Sequence, residues 1–142
     1  MTHTHCVFCR IVAGELPSTK LFEDERTLAV MDINPITPGH VLVIVKAHRE
    51  NVFEMDEEEC VAVMRTSKKL ADAIKKGLEP EGLNLFQANG LAAFQTVFHF
   101  HIHVLPRYVD DAIQPPIGLL GGRTGDPEEI RKNAERIRAS IG

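Results

Sequence analysis

Histidine and apolar residues alternate from His99 to Val104, in the sequence His-Phe-His-Ile-His-Val. In a β-strand successive side chains point to opposite faces, so a strand here places the three imidazoles on one face and the three apolar side chains on the other. The apolar face can be buried in a core. Neighbouring imidazoles bring no structural advantage, because they would repel one another when protonated. The alternation therefore predicts a half-buried strand whose polar face carries out a function.

Periodicity along the rest of the chain predicts one sheet and two helices. Short alternating or β-branched runs predict strands at 21–25, 27–33, 40–45, 83–87 and 96–105, the last ending before Pro106. The segment after Asp56 has a helical period, with acidic residues at its start and Lys75-Lys76-Gly77 at its end. Residues 109–125 are loop-like, and a final helix begins at Asp126-Pro127 and extends to about Ile141. Because strands and helices do not alternate, an α+β fold with a mostly antiparallel sheet is favoured over a doubly wound one.

The predicted long helix has one apolar face. Its members are Cys60, Met64, Ser67, Ala71 and Ile74, with Val63 and Leu70 beside them. Cys60 is accordingly interpreted as a small, buried apolar residue.

The size and charge of the chain exclude several classes of protein. With 142 residues it has room for one domain with a single core. A net charge of −4 argues against a basic surface for nucleic acids, whereas a small phosphorylated ligand needs only local donors. No apolar run approaches the roughly 20 residues that span a bilayer, and the amino terminus lacks the features of a signal peptide. With three cysteines, which suggest no disulfide framework, we expect a cytoplasmic protein that binds neither membranes nor nucleic acids.

The three alternating histidines need not share one task. An imidazole can bind a metal ion, transfer a proton or attack a phosphorus or carbonyl centre. On one face of a strand, residues two apart have Cα atoms about 6.5–7 Å apart, and the outer two of three are about 13 Å apart. The outer histidines could not easily share one metal ion with the middle one, so we expect the three to have different roles.

Cys6 and Cys9 have the spacing of a metal knuckle or a redox motif. A thioredoxin-type motif follows a strand in a βαβ unit, and nothing of that kind precedes Cys6. A zinc finger needs two histidines soon after the cysteines, and none follows closely. If the pair binds a metal, His48 and one alternating histidine are the obvious further ligands, although His3 and His5 could take part unless the terminus is disordered. Two cysteines and two histidines form a closed, tetrahedral zinc site.

Residues 95–107, Gln-Thr-Val-Phe-His-Phe-His-Ile-His-Val-Leu-Pro-Arg, resemble the signature of the histidine triad (HIT) nucleotide-binding family. Residues 22–25, 32–35 and 37–44 are similar to the same family, and the resemblance extends from about Cys6 to Arg107. It implies a HIT-like fold, with a five-stranded, mostly antiparallel sheet, one long helix and a C-terminal helix. It also implies a homodimer that joins two sheets. On this basis residues 1–110 form the histidine triad domain, and the loop and helix of residues 111–142 belong to the same single domain.

For activity, the resemblance implies that His101 attacks the α-phosphate of a bound nucleotide to form a nucleotidyl-histidine, which water then hydrolyses. A neutral imidazole attacks through one nitrogen, so the other must keep its proton on a fixed acceptor, which we expect to be a backbone carbonyl. Thr96 is expected to hold phosphate oxygens. His103 and His40 are expected to donate hydrogen bonds to the phosphates, and one of them to help protonate the leaving group.

The resemblance also implies a site for a purine nucleotide or a nucleotide conjugate. Asp32 corresponds to the carboxylate that binds the ribose hydroxyls, and Asn89 and Gln95 are assigned to the nucleotide as well. The residues expected to flank the base, for each of which simple burial in the core is the alternative, are Phe8, Ile11 and Ile33. The zinc-containing, bacterial-type subgroup of the family holds a structural zinc ion with the residues that match Cys6, Cys9, His48 and His99.

Two positions depart from the family pattern. Ala88 stands where a side-chain amide is usual, and Asn89 or Gln87 could supply the amide instead. Phe94 stands where a glycine usually precedes Gln95, and a bulky side chain there could narrow the approach to the phosphates. Both changes bear on rate and substrate choice, and neither alters the predicted nucleophile.

Hydrolysis of nucleoside phosphoramidates or similar adenylated compounds is therefore the leading hypothesis for the function. The alternatives are a dinucleoside polyphosphate hydrolase and, from another class, a nucleotide-binding scaffold with weak activity, which the changes at Ala88 and Phe94 would fit. The uridylyltransferase branch of the family has glutamine in place of the third histidine, whereas this chain has His103.

Overall fold

The computed structural model of the protein describes residues 5–113 and 124–142. Its elements are α1 (Val7–Val12), β1 (Lys20–Glu23), β2 (Thr27–Met31), β3 (Val41–Val45), α2 (Glu57–Leu78), β4 (Gly82–Phe86), β5 (His101–Arg107) and α3 (Pro127–Ala139). Short 3₁₀ turns occur at Val52–Glu54 and Leu91–Ala93. The five strands form one sheet in the order β1-β2-β3-β5-β4, and every neighbouring pair is antiparallel. The predicted α+β fold with a five-stranded antiparallel sheet is confirmed.

The central strand β3 reads Val-Leu-Val-Ile-Val, and all five of its residues are buried. Both faces of the sheet are covered, so the alternating side chains of β3 enter two separate cores. The larger core, on the side of α2 and α3, includes Val41, Val43, Val45, Leu70, Ile74 and Ile137. The smaller core, on the opposite side beside α1, consists of Phe8, Leu28, Val30, Leu42 and Ile44.

The strand β5 begins at His101, not at the predicted Thr96, and continues past Leu105 to Arg107. The chain ahead of His101 is held by a loop contact instead, since the N–H of Phe100 donates to the backbone oxygen of Arg49 at 2.6 Å. Beyond Val104, β5 pairs with β4 alone, so a proline without an N–H group is tolerated at position 106. Within the strand the predicted alternation holds, because Ile102 and Val104 pack in the larger core.

The long helix α2 begins where the sequence predicts, because Asp56 and Glu59 form a capping box at its start. Its buried face differs from the predicted one. Val63 and Leu70 lie at the centre of that face, whereas Met64 is 49% exposed and Cys60 is half-buried. The interpretation of Cys60 as a buried core residue is therefore wrong, because the helix is rotated towards Val63.

The short helix α1 was not predicted from the sequence. It has only six residues, too few to show a helical period. It is capped by Cys6, whose sulfur accepts a hydrogen bond from the N–H of Cys9 at 3.4 Å, and cysteine is not among the usual capping residues.

The C-terminal helix α3 begins at the predicted cap, Asp126, and packs on α2 and β1. Ala134 and Ile137 enter the larger core. That residues 111–142 belong to the same domain as residues 1–110 stays a prediction. Of the predicted loop at 109–125, residues 114–123 lie outside the described residues, as does His3. None of the helices within the described ranges is long and apolar enough to cross a membrane.

Candidate active site and metal centre

His101 is the first residue of β5, and its two ring nitrogens have different surroundings. Nδ1 lies 2.7 Å from the backbone oxygen of His99, which can only accept, so Nδ1 donates its proton to that oxygen. In the neutral ring Nε2 then carries a lone pair. This is the arrangement expected of an imidazole that attacks through one nitrogen.

Burial keeps the ring of His101 neutral. It lowers the pKa of His101, against the smaller opposing effects of the hydrogen bond to His99 and the negative charge of Asp32. Phe8 contributes to this burial, with its ring edge-on to the imidazole at a centroid distance of 4.9 Å. A neutral imidazole is the nucleophilic form, so no proton has to be removed from the ring before it can attack.

A chain of hydrogen bonds fixes the tautomers of His40 and His103. The N–H of Ile36 donates to Nδ1 of His40 at 3.1 Å, so the proton of a neutral His40 lies on Nε2. That Nε2 is 2.9 Å from Nδ1 of His103 and 3.5 Å from the carboxylate of Asp32. It therefore donates to His103, whose own proton must lie on Nε2. The site thus combines a lone pair on His101 with an N–H donor on His103.

His103 is enclosed from several sides. Burial lowers its pKa to about 2, and the neighbouring His101 and His40 act in the same direction. Burial also lowers the pKa of His40, more than the Asp32 carboxylate raises it. Phe86, opposite His103 in the register of β4 and β5, stacks on the imidazole at 4.2 Å with an angle of 8° between the rings. His103 consequently stays a neutral hydrogen-bond donor at physiological pH.

Cys6, Cys9, His48 and His99 form a compact cluster beside this site. Their sulfur and imidazole nitrogen atoms all lie within 4.8 Å of one another. Sγ of Cys6 is 3.2 Å from Nδ1 of His99, and Sγ of Cys9 is 3.2 Å from Nδ1 of His48. His5 is not one of the four. Three distant segments of the chain therefore meet here: the start of α1, the loop after β3 and the residues before β5.

The donor set and spacing of this cluster fit a tetrahedral metal site. Zn–S bonds of about 2.3 Å and Zn–N bonds of about 2.0–2.1 Å place neighbouring ligand atoms roughly 3.5 Å apart. Nδ1 of His99 lies 3.2 and 3.5 Å from the sulfurs of Cys6 and Cys9. Its other nitrogen, Nε2, donates to the backbone oxygen of Val45 at 2.6 Å, which directs Nδ1 towards the sulfurs.

Asp32, His40 and His103 also have donor atoms within 4.8 Å of one another. Both ring nitrogens of His40 take part in hydrogen bonds, however, one with Ile36 and one with His103. We therefore describe this second group, the hydrogen-bonded pair His40 and His103 with Asp32 beside it, as the relay.

Gln95 and Thr96 lie in the loop between β4 and β5. Gln95 is buried, and its amide joins parts of the backbone: Oε1 accepts from the N–H of Gly90 at 2.7 Å, and Nε2 donates to the oxygen of Glu50 at 2.6 Å. Thr96 is exposed. Gln95 thus holds the loop in shape, and Thr96 is accessible from outside.

The two amides expected to compensate for Ala88 bind each other. Nε2 of Gln87 donates to Oδ1 of Asn89, and Nδ2 of Asn89 donates to Oε1 of Gln87, both at 2.7 Å. Oδ1 of Asn89 also accepts from the N–H of Val52 at 2.7 Å. In this structure the two side chains therefore stabilise the loop.

The residues expected to flank the base fall into two groups. Phe8 and the half-buried Ile11 pack in the smaller core, and Phe8 contacts His101, which fits the alternative core role. That they flank a base stays a prediction. Ile33 is 69% exposed, directly after Asp32. Its backbone oxygen accepts from the N–H of Gly125 at 2.9 Å, which ties the segment before α3 to this side of the site.

Phe94 has a backbone conformation that explains the usual glycine at this position. Its φ of 67° is in the left-handed region, and its side chain is 58% exposed. This conformation costs a non-glycine residue about 1–2 kcal/mol. Glycine avoids that cost, but it loses more conformational entropy on folding, which offsets part of the gain. We expect Phe94→Gly to raise the free energy of unfolding by about 0.5–1 kcal/mol, measured by urea denaturation.

The control for Phe94→Gly is Gly90→Ala. Gly90 has a φ of 92°, and a Cβ atom there would meet nothing within 4 Å. Gly90→Ala therefore tests the backbone conformation alone. It should lower the free energy of unfolding, because alanine disfavours a positive φ. An unchanged stability in both variants would show that the loop is not strained.

Three contacts of the site were not predicted from the sequence: the stacking of Phe86, the N–H of Ile36 on His40 and the oxygen of Val45 on His99. The last two involve backbone atoms, which every residue has. Phe86 faces His103 because of the strand register, and sequence periodicity does not reveal which residues of two strands stand opposite.

Comparison with known proteins agrees with the fold. The family model described as HIT domain matches residues 13–110. The Bacillus subtilis protein named Protein hit is 48% identical over 104 residues, covering 73% of this chain and 72% of that protein. Adenosine 5'-monophosphoramidase hnt1 of Schizosaccharomyces pombe is 37% identical over 139 residues, covering 96% and 98%. The crystal structure of a Zn-bound histidine triad family protein from Mycobacterium smegmatis has a TM-score of 0.85 at 36% identity, covering 97% and 94%.

An antiparallel α+β fold with three alternating histidines, one just before β5 and two on it, is typical of a histidine triad protein. The match over residues 13–110 makes the assignment specific: the chain belongs to the HIT family. The resemblance stated from residues 95–107 is confirmed.

Proposed function

We propose that this protein is a nucleotidyl hydrolase that cleaves nucleoside phosphoramidates, or similar adenylated compounds, at the α-phosphate. The observation that carries this proposal is the hydrogen bond from Nδ1 of His101 to the oxygen of His99, which leaves the lone pair on Nε2. The similarity to an adenosine 5'-monophosphoramidase over nearly the whole chain supports the phosphoramidate as substrate.

The reaction takes place in two halves. In the first, Nε2 of His101 attacks the α-phosphorus, the P–N bond breaks with its electron pair on nitrogen, and a proton from solvent makes the leaving group a neutral amine. The resulting phosphorylated imidazolium keeps its Nδ1 proton on the His99 oxygen. In the second half, water attacks the phosphorus, the N–P bond breaks, and the proton that water loses replaces the one taken from solvent.

The relay residues act on the phosphate and the ribose. The Nε2–H of His103 donates to a phosphate oxygen or to the departing nitrogen, and His40 holds His103 in that tautomer. Asp32 binds the ribose hydroxyls next to His40. Thr96 binds phosphate oxygens from the exposed loop.

A purine nucleotide or nucleotide conjugate is the proposed ligand. Phe8, Ile11 and the exposed Ile33 flank its base. Asn89 and Gln95 contribute by holding the loop that carries Thr96. That the protein works in the cytoplasm, apart from nucleic acids and membranes, stays a prediction.

The Cys/His cluster is proposed to bind a structural zinc ion through Cys6, Cys9, His48 and His99. Four protein ligands close the coordination sphere, so the ion would stabilise the fold and would not bind substrate. The Zn-bound neighbour from Mycobacterium smegmatis supports the choice of metal.

The substrate class is tested by comparing two compounds at equal concentration. We expect adenosine 5'-phosphoramidate to be hydrolysed with a kcat/KM at least about tenfold higher than that for a diadenosine polyphosphate, a difference of about 1.4 kcal/mol in the barrier. The reverse order would favour a dinucleoside polyphosphate hydrolase. Tight nucleotide binding without turnover of either compound would favour a scaffold.

A homodimer is proposed, with β4 as the edge at which two sheets join. In the described part of the chain β4 pairs only with β5, and Leu85 on it is 40% exposed. The opposite edge, β1, is contacted by α3, since Arg138 donates to the oxygen of Lys20 at 2.6 Å. An uncovered edge with apolar side chains is a site for strand pairing between subunits.

Sedimentation at micromolar concentration should therefore show a dimer. Leu85→Glu should shift it towards the monomer, because a charge would be buried in the interface. The control is Leu91→Glu, a loop position that is 78% exposed, which should leave the dimer intact. A wild-type monomer would contradict the proposal.

A further inference from the structure

His99 belongs to both halves of the site. Its side chain is wholly buried and lies in the cluster, with Nδ1 facing the two sulfurs and Nε2 donating to the oxygen of Val45. Its backbone oxygen, in contrast, accepts the hydrogen bond from Nδ1 of His101 at 2.7 Å. The same residue thus joins the cluster directly to the acceptor that sets the tautomer of His101.

Phe8 makes a second connection between the cluster and His101. It lies between Cys6 and Cys9 in the sequence, and it is buried. Its ring meets His99 edge-on at 5.8 Å and His101 edge-on at 4.9 Å. Any shift of the two cysteines therefore moves the ring that packs against His101.

The His99 oxygen lies ahead of the paired residues, because the register of β5 with β3 begins only at His101. Ahead of the strand, Phe100 is held by Arg49 and Val45, on either side of His48 in sequence. The placement of the acceptor thus depends on segments that the cluster joins.

We propose that the Cys/His centre is a positioning element for His101, acting through the backbone oxygen of His99 and the ring of Phe8. This role rests on the proposed function, and it goes beyond stabilising the fold. With the ion bound, the acceptor holds His101 in the tautomer that leaves Nε2 free. Without the ion, the acceptor and the ring are released, and displacements of about 1 Å near a reacting group can cost about 10²-fold in rate.

The test compares full-length protein loaded with zinc and the same protein after chelation, under conditions in which circular dichroism shows both to be folded. NMR of ¹⁵N-labelled histidine reports the tautomer of His101 without substrate. We expect one tautomer, protonated at Nδ1, in the zinc-loaded protein and a mixture after chelation, together with a kcat for adenosine 5'-phosphoramidate at least about tenfold lower. An unchanged tautomer and kcat after zinc removal would overturn the proposal.

Phe8→Leu tests the second connection while leaving all four metal ligands in place. We expect full zinc content, a kcat about tenfold lower and altered NMR signals of the His101 ring. Loss of the proposed base contact alone would instead raise KM and leave kcat and the ring signals unchanged, which would count against the proposal. If the chelated protein unfolds, Phe8→Leu still tests whether the cluster positions His101.

The matched control is Ile137→Val, which removes a methylene from the larger core on the other side of the sheet. It should lower Tm while kcat, KM and the His101 tautomer stay as in the wild type. An equal fall of kcat in this control would show that stability alone explains the effect. If the zinc-loaded protein does not hydrolyse phosphoramidates, the proposed function is wrong, and the tautomer measurement still tests the positioning role.

Discussion

Replacing His101 with alanine is expected to lower turnover of a nucleoside phosphoramidate by roughly 10³-fold or more. The substitution removes the proposed nucleophilic nitrogen, and the neighbouring His103 cannot take its place, because its Nδ1 accepts the hydrogen bond from His40. Nucleotide binding should persist within about tenfold, or about 1.4 kcal/mol, because the proposed ribose and base contacts are made by residues other than His101. Steady-state kinetics and equilibrium binding of AMP measure the two effects separately.

Substitutions of the two flanking histidines, His99 and His103, distinguish a nucleophilic role of His101 from a role in binding alone. His103→Ala should reduce turnover less, since Thr96 and nearby backbone donors are proposed to share its role of donating hydrogen bonds to the phosphate. His99→Ala should first lose zinc and stability, because its side chain lies in the proposed zinc-binding cluster. Wild-type turnover in His101→Ala, with every nucleotide conjugate tested, would refute the mechanism.

Replacing Cys9 with alanine is expected to release the proposed zinc ion and lower the free energy of unfolding by about 4 kcal/mol. This is the stabilisation that a ligand gives when its concentration is about a thousand times its Kd. Sγ of Cys9 is 3.2 Å from Nδ1 of His48 and 3.5 Å from Nδ1 of His99. Its loss therefore removes one of the four proposed ligands and its contacts with both histidines. Metal analysis and thermal unfolding of the wild type and the variant give the result.

The chain has its own control for this change in Cys60. It is the third cysteine, half-buried on α2 and outside the cluster. Cys60→Ala should keep one zinc ion per chain and change stability by less than about 1 kcal/mol. Wild-type protein purified without zinc, or with a disulfide between Cys6 and Cys9, would contradict the zinc proposal.

Much of the fold could be predicted from the sequence because its strongest signals are local. The alternation from His99 to Val104 located the functional strand, and the β-branched run at β3 located the buried one. Asp56 and Asp126 marked the two helix starts because capping is a contact between near neighbours in the sequence.

What could not be predicted depends on contacts between distant segments. The true start of β5 is set by Arg49, which binds the backbone at Phe100. The rotation of α2 that exposes Met64 reflects the shape of the core beneath it, not the helical period itself. Phe86 meets His103 only through the strand register, and no local signal contains that information.

The position of β5 between β3 and β4 has a consequence for how the protein is made. β4 precedes β5 in the chain, yet it pairs with no other strand of the described sheet. A nascent chain that ends before residue 101 can therefore form β1, β2 and β3, while β4 has no place to bind. Once β5 leaves the ribosome, it joins β4 to the sheet and brings His101 opposite Ile44 in the same event. During synthesis the site is therefore expected to assemble in a single late step, because strands that pair across a long sequence separation form their contacts late.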